Sequence, residues 1–356
     1  YNEELKKCVQ PLKNIGRYAW LFVSGTDFSA DLIALFLDYI KIFTHIDLII
    51  FDRMVYNIYT YRNELDRIID IIGEIDSDIA IASYRRYMDG QVCMPELRQD
   101  GPLSIKTENI YHPMIVNPVK NTLVEDKSVL LTGSNASGKS TFLKTIAINA
   151  IFAQTIYTCL ADSFASRFFR VYSSMALQDN IQGSESYYIV EIKSLKRIVD
   201  AAGGAAINEG SFNADGVKMV ASYGETVNGK AAQDDYAHVP VLCFIDEVLR
   251  GTNTVERIAA SSRILHVLAH KNALCFAATH DIELTTILEN TYANYHFQEE
   301  VNDNDVKFDY QLYKGRATSR NAIKLLGIIG FNKEITDEAT GAARAFENTG
   351  VWSAMK

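Results

Sequence analysis

Cysteine is scarce in this chain. Cys8, Cys93, Cys159, Cys243 and Cys275 are the only five in 356 residues, they lie far apart, and none forms a CxxC pair. A disulfide-stapled scaffold is excluded, and a reducing, cytoplasmic compartment is expected. Positive charge is also in deficit: 35 Lys and Arg against 44 Asp and Glu give a net charge of −9. That excludes a protein that coats nucleic acid through bulk charge, and leaves room for a local basic groove. Only 6 prolines and 20 glycines occur, with 48% hydrophobic and 22% charged residues, so the chain is neither collagen-like nor disordered. Long uncharged apolar runs are missing too. The most apolar stretch, 32–51, carries Asp38, Lys41, His45 and Asp47. Those are too many charges for a membrane span of about 20 residues.

What is present falls into two parts, as the length suggests at about 100–200 residues per domain. Residues 16–96 have few Gly or Pro, and their apolar residues recur at spacings of three and four. This periodicity predicts an all-α domain over 1–100, with two long helices and a shorter one. From about residue 101 the texture changes. Short β-rich runs (128–132, 239–245, 273–278, 306–313) alternate with helical stretches (139–158, 186–202, 255–270, 282–288). Such alternation predicts an α/β domain over 101–345, with a sheet covered on both faces. Residues 203–235 hold six glycines, carry a net charge of −3 and have no period; they read as a surface insertion. The segment 315–350 reads as two short helices around the Gly327–Gly330 turn, and 346–356 as a tail. No internal repeat occurs. The chain opens on Tyr1 rather than Met, so it is expected to be part of a longer protein.

The most specific motif is Gly133-Ser134-Asn135-Ala136-Ser137-Gly138-Lys139-Ser140, a full GxxxxGK[ST] match, followed by Thr141. It follows the apolar run SVLLT and opens a helical pattern, the context the motif requires. Glycines let successive backbone N–H groups turn toward phosphate oxygens, and the helix N-terminus adds partial positive charge. Lys139 is expected on the β and γ phosphates, and the Ser140 hydroxyl on Mg²⁺.

A second signal is VLCFIDE at 241–247, a buried strand ending in two acids. Asp246 is the candidate metal ligand, and Glu247 the candidate general base for an attacking water. A third apolar run ends at Thr279-His280-Asp281. His280 at that strand end is placed to support the γ-phosphate or the water.

Four segments in order, LLTGSNASGKSTFLKT, DNIQGSESYYIVEIKSLKRIV, VLCFIDEVLRGTNTVERIA and CFAATHDIELT, resemble the ATPase domain of the MutS family of DNA mismatch-repair proteins. Tyr111-His112-Pro113 and GRATSRNAIKLLGIIGF extend the resemblance over roughly 100–345. It implies a P-loop ABC-type ATPase domain with a mixed sheet flanked by helices. It also implies ATP and Mg²⁺ as ligands, and a homodimer in which Ser186, beside Ser184, completes the partner's site. Arg250–Thr254 would cross the same seam, Gln154 would sense nucleotide, and Asn117 would lie near the base or ribose. The loop departs from the family's Pro-Asn-Met-Gly-Gly run at 134–138 but keeps Gly138. No counterpart of the family's mismatch-reading domain, with its Phe beside a Glu, is found in the chain.

DNA is the partner that the resemblance implies, with Lys6, Lys7, Lys13, Arg85 and Arg86 as scattered basic candidates. The alternative is an ABC-type switch or scaffold without mismatch recognition, tethered to a membrane through an upstream segment. A transporter ATPase is disfavoured by the absence of an LSGGQ-type signature. A kinase or small GTPase is disfavoured by the Asp246-Glu247 pair and the Gly-Thr-Asn-Thr loop after it.

Overall fold

The computed structural model describes residues 1–16, 39, 43–134, 136–175, 187–203, 238–302, 305–317, 322–352 and 354. They divide into two compact units, Tyr1–Met88 and Asp89–Lys356. The first unit, among its described residues, is built from α1 (Asn2–Gly16), α2 (Ile46–Thr60) and α3 (Arg62–Tyr87). Arg67 of α3 meets Glu4 of α1 at 2.8 Å and Glu74 at 3.5 Å, and Ile71 is fully buried.

The second unit begins ahead of residue 100, where the composition changes. The reason is hydrogen bonding: β1 (Glu96–Arg98) pairs in parallel with β5 (Ser163–Arg167). Cys93 also exchanges both backbone hydrogen bonds with Cys159, at 2.8 and 2.9 Å. A four-stranded sheet runs β1-β5-β2-β3, where β2 is Ile105–Ile110 and β3 is Asn121–Glu125.

The main sheet has six strands in the order β12-β9-β4-β8-β7-β6. These are β4 (Ser128–Thr132), β6 (Arg170–Ser174), β7 (Val241–Asp246), β8 (Ala273–Ala278), β9 (Tyr292–His296) and β12 (Tyr313–Lys314). All pair in parallel except β12, which runs antiparallel to β9. The unit is therefore α/β with mixed sheets. Every residue of β4 and β8 is buried, because helices cover both faces.

Alternate residues feed two cores. Leu131, Phe244 and Phe276 face one side, with Leu143 and Ile146 of α4 (Lys139–Thr155). Leu130, Ile245 and Ala277 face the other, with Leu195 and Ile198 of α5 (Tyr187–Ala202) and Leu265 and Leu268 of α6 (Thr254–Ala269). A short α7 (Glu283–Ile287) follows β8. Phe244 and Phe276 stack with ring centroids 5.6 Å apart, adding aromatic contact to the first core.

The single strand expected over 306–313 is two pieces. β11 (Asp305–Phe308) pairs with β10 (Glu299–Asn302), and β12 joins the main sheet. Between them Tyr310 adopts a left-handed φ of 55°. The Asn121 side chain takes the backbone groups that a continuous strand would pair: Nδ2 donates to the Tyr310 carbonyl (3.1 Å) and Oδ1 accepts from the Leu312 N–H (2.7 Å).

The segment after β12 carries α8 (Ala322–Ile329), a Gly330 turn at φ 102°, and α9 (Lys333–Thr349). α9 is capped by Asn332, whose side chain accepts from the Glu334 N–H at 3.2 Å. It runs past residue 346, so the expected tail starts inside a helix. Of the insertion expected at 203–235, all but Gly203 lies outside the described residues.

Candidate functional site

The neighbouring strands β4, β8 and β7 end at one edge of the main sheet. Their next residues are Gly133, Thr279 and Glu247, so parallel pairing gathers three distant segments at the carboxyl ends of the strands. Gly133 has φ 142° and Gly138 φ 107°, with Ala136 between them at 63°. A Cβ at Gly133 would stand 2.7 Å from the Phe297 carbonyl oxygen, so glycine is needed there for space as well as for φ.

Lys139 opens α4 and is only 5% exposed. Its ammonium donates to the Gly133 and Ser134 carbonyls at 2.9 and 2.6 Å, curling the loop back on itself. Burial lowers its pKa, while Asp246, Glu247 and Glu299 raise it. Ser134 donates to the Glu299 carboxylate at 2.8 Å. No sequence signal marks Glu299, which β10 brings to the loop.

The two acids differ in their surroundings. Asp246 Oδ1 is buried with no hydrogen-bond partner, as is Ser137 Oγ. Glu247 sits just past the strand at a left-handed φ of 56°. Its N–H donates to the Ala278 carbonyl (3.0 Å), and its carboxylate lies 3.1 Å from His280 Nε2 and 2.9 Å from Arg250 Nε. Burial first, then Lys139, lowers the His280 pKa; Glu247 opposes both. The balance favours the neutral imidazole of His280. The next residue, Asp281, is held by two bonds from Arg257 of α6, at 2.8 and 2.6 Å.

Beside this edge lies a cleft of about 670 Å³. Residues 136–142 form one wall and Glu247 reaches it. The opposite wall is the loop between β2 and β3, including His112, Val116 and Asn117, with Tyr310 beyond. Asn117 has φ 53°. Val116 is 88% exposed, an apolar rim that a flat ring could cover. Asn149 of α4, fully buried, anchors the wall: its Nδ2 donates to the Tyr111 carbonyl (3.2 Å) and its Oδ1 accepts from the Leu160 N–H (2.6 Å).

Lys139, Ser140, Thr141, Ala136, Ser137, Gly138, Asn117 and Glu247 thus share one cleft, and Glu247 links His280 to it. Gln154 is not brought there. It sits near the far end of α4, and fifteen residues at 1.5 Å each put it about 22 Å from Lys139. It ties the helix to the turn before β6, accepting from the Phe169 N–H at 2.7 Å. Asn135, Ser184 and Ser186 lie outside the described residues. Asn121 and Tyr310 escaped sequence reasoning, because only folding joins positions 189 residues apart.

Among known families, the model of MutS domain V matches residues 129–208 and 235–347. The chain belongs to the MutS family. The match breaks over 209–234, within the glycine-rich insertion, and includes every part of the cleft except the 110–121 wall. The chain is 27% identical over 282 residues to the DNA mismatch repair protein MutS of Natronomonas pharaonis, covering 75% of this chain and 28% of that protein. It is 24% identical over 218 residues to MutS of Thermus aquaticus, 61% of this chain and 23% of the relative. With the DNA mismatch repair protein MSH6 of Saccharomyces cerevisiae it shares 24% identity over 312 residues, 79% of this chain and 22% of the relative. The chain spans less than a third of the length of these MutS-family relatives.

Proposed function

We propose that this MutS-family chain binds ATP in the cleft and hydrolyses it to ADP and phosphate. One observation carries the reading: three neighbouring parallel strands deliver a buried lysine, a carboxylate with one buried, unpartnered oxygen and a Glu–His pair to one edge. The curled loop offers N–H groups at the α4 N-terminus to phosphate oxygens, and Lys139 trades its two carbonyl contacts for phosphate oxygens. Asn117, Val116 and Tyr310 flank the room left for the nucleoside.

The residues fit Mg²⁺. Asp246 Oδ1 is an orphaned acceptor that a cation satisfies, and Ser140 supplies a hydroxyl beside Lys139. Among the described residues no group of three or more His, Cys, Asp or Glu is placed to hold a metal ion; Mg²⁺ commonly takes one or two carboxylates, with phosphates and water as its other ligands. Mg²⁺, when bound, offsets the negative charge on the phosphates. Glu247 accepts the proton of the attacking water; His280, neutral, orients the Glu247 carboxylate and reaches toward the γ-phosphate.

In the same reading, ATP closes a homodimer in which Ser186 completes the partner's site. The first unit passes the motion to DNA, in mismatch repair or a related DNA-processing step. The names of the relatives support that assignment. The same reading puts the protein in the cytoplasm, in keeping with its few, scattered cysteines. No helix among the described residues is long and apolar enough to cross a membrane.

The test is ATP turnover by wild type and by Glu247→Gln, with DNA binding across a salt series. The variant is expected to bind ATP, turn over at least about a hundredfold more slowly and hold DNA in a salt-sensitive manner. Wild-type turnover by that variant would remove the general base from the scheme. Intact hydrolysis with no DNA binding at low salt would leave the ATPase and remove the DNA role.

A further inference from the structure

We propose that Glu191 is a positioning residue for Glu247, resting on the assignment of Glu247 as the base. Glu191 lies on α5 and is 2% exposed. Its Oε1 accepts a short hydrogen bond from the Leu249 N–H. Oε2 makes no regular hydrogen bond, although the Arg250 amide favours the charged form from nearby. Burial above all, with the nearby Glu247 charge, raises its pKa against the pull of those amides. A carboxyl group drawn so far out of water is held in place by the backbone N–H that it binds.

The turn it holds is unusual. Glu247 and Leu249 both have φ 56°, a conformation that non-glycine residues keep only under constraint. Relaxing either residue would swing the Glu247 carboxylate away from His280. Four contacts supply the constraint. The Glu247 N–H is tied to Ala278 of β8. Ser261 of α6 donates to the Val248 carbonyl at 3.3 Å. Glu191 of α5 takes the Leu249 N–H, and the Tyr188 ring, one turn earlier, lies against Gly251. The first two ties come from the sheet and from the helix that follows the turn. Among these four, the α5 contacts are the ones that reach the turn from a segment that precedes β7. A displacement of α5 therefore displaces the base, with no change at Lys139 or at the walls of the cleft.

The experiment is steady-state ATP hydrolysis on the full chain by wild type, Glu191→Ala, Glu191→Gln and Glu247→Gln, each checked by thermal melting. Glu191→Ala is expected to lower kcat about tenfold or more and to leave KM for ATP within about twofold, since the phosphate loop is untouched. Glu191→Gln keeps a carbonyl oxygen for the Leu249 N–H and is expected to recover kcat to within about threefold of wild type. A purely structural Glu191 would lower the melting temperature and leave kcat of the folded protein unchanged; that result overturns the proposal. So does a KM that rises as kcat falls, or a glutamine variant no better than alanine. If the alanine variant does not fold, Glu191→Asp takes its place under the same criteria, its carboxylate drawn back by one methylene. If Glu247→Gln hydrolyses ATP at the wild-type rate, the base assignment fails and this proposal falls with it. A dead Glu247→Gln beside a fully active Glu191→Ala removes this proposal alone.

Discussion

Gly133 and His280 show how single positions set the chemistry of this edge. At Gly133 both φ and the 2.7 Å approach to a backbone oxygen forbid a side chain. Gly133→Ala should lower the stability of the second unit by about 2 kcal/mol or more, read as a lower urea midpoint at unchanged slope. His280 has a pKa below the ordinary 6.5, through burial and Lys139. A lowered histidine pKa means the neutral form persists through 6.5 and is lost only at more acidic pH. Hydrolysis should therefore stay level across neutral pH and fall only below 6.5; in His280→Gln that component of the acid limb should vanish from the kcat profile. Lys139, Ser140, Asp246 and Glu247 were legible in the sequence because their chemistry sits in short contiguous motifs bounded by apolar strands. Glu191, Asn121, Glu299 and Tyr310 were not. Each meets a partner that is distant in sequence, and although Glu191 falls within a segment that carries the family resemblance, nothing there points to Leu249.

Elements were legible in proportion to how completely they are buried. β4 and β8 could be read to their end residues, since both faces are covered and the apolar run is unbroken. β2 and β3 escaped notice, because partial exposure mixes Lys, Glu, Asn and Thr into IKTENI and NTLVE. The run at 306–313 looked like one strand because nothing local announces the left-handed Tyr310. α4 carries an element-scale prediction. Its buried Asn149 bonds the backbone on both sides of the helix, at Tyr111 and Leu160. Asn149→Leu leaves those two backbone groups unsatisfied and should cost about 3 kcal/mol, at roughly 1–3 per buried orphan. Because Tyr111 lines the cleft, KM for ATP should rise in the same variant while kcat holds, which steady-state kinetics would reveal.

At the scale of the molecule, the two units divide the work: one carries the cleft, and the other is helical in its described residues. The proposed sandwich makes oligomeric state a function of nucleotide. Glu247→Gln should sediment as a monomer alone and as a dimer with ATP and Mg²⁺, whereas Lys139→Ala should remain monomeric in both. A dimer that ignores ATP would contradict the sandwich. The sheet order has a different consequence, for biosynthesis. β4, which leads into the phosphate loop, lies between β8 and β9, and β9 begins 160 residues after β4 ends (292 − 132). At about 5–20 residues per second, a ribosome takes roughly 8 to 30 seconds to cover that distance. For most of that time this apolar strand has left the exit tunnel without either neighbour, since β8 itself begins 141 residues after β4 ends (273 − 132). It is a segment that a chaperone can cover in the interval, and nucleotide can assist folding only after the last neighbour has emerged.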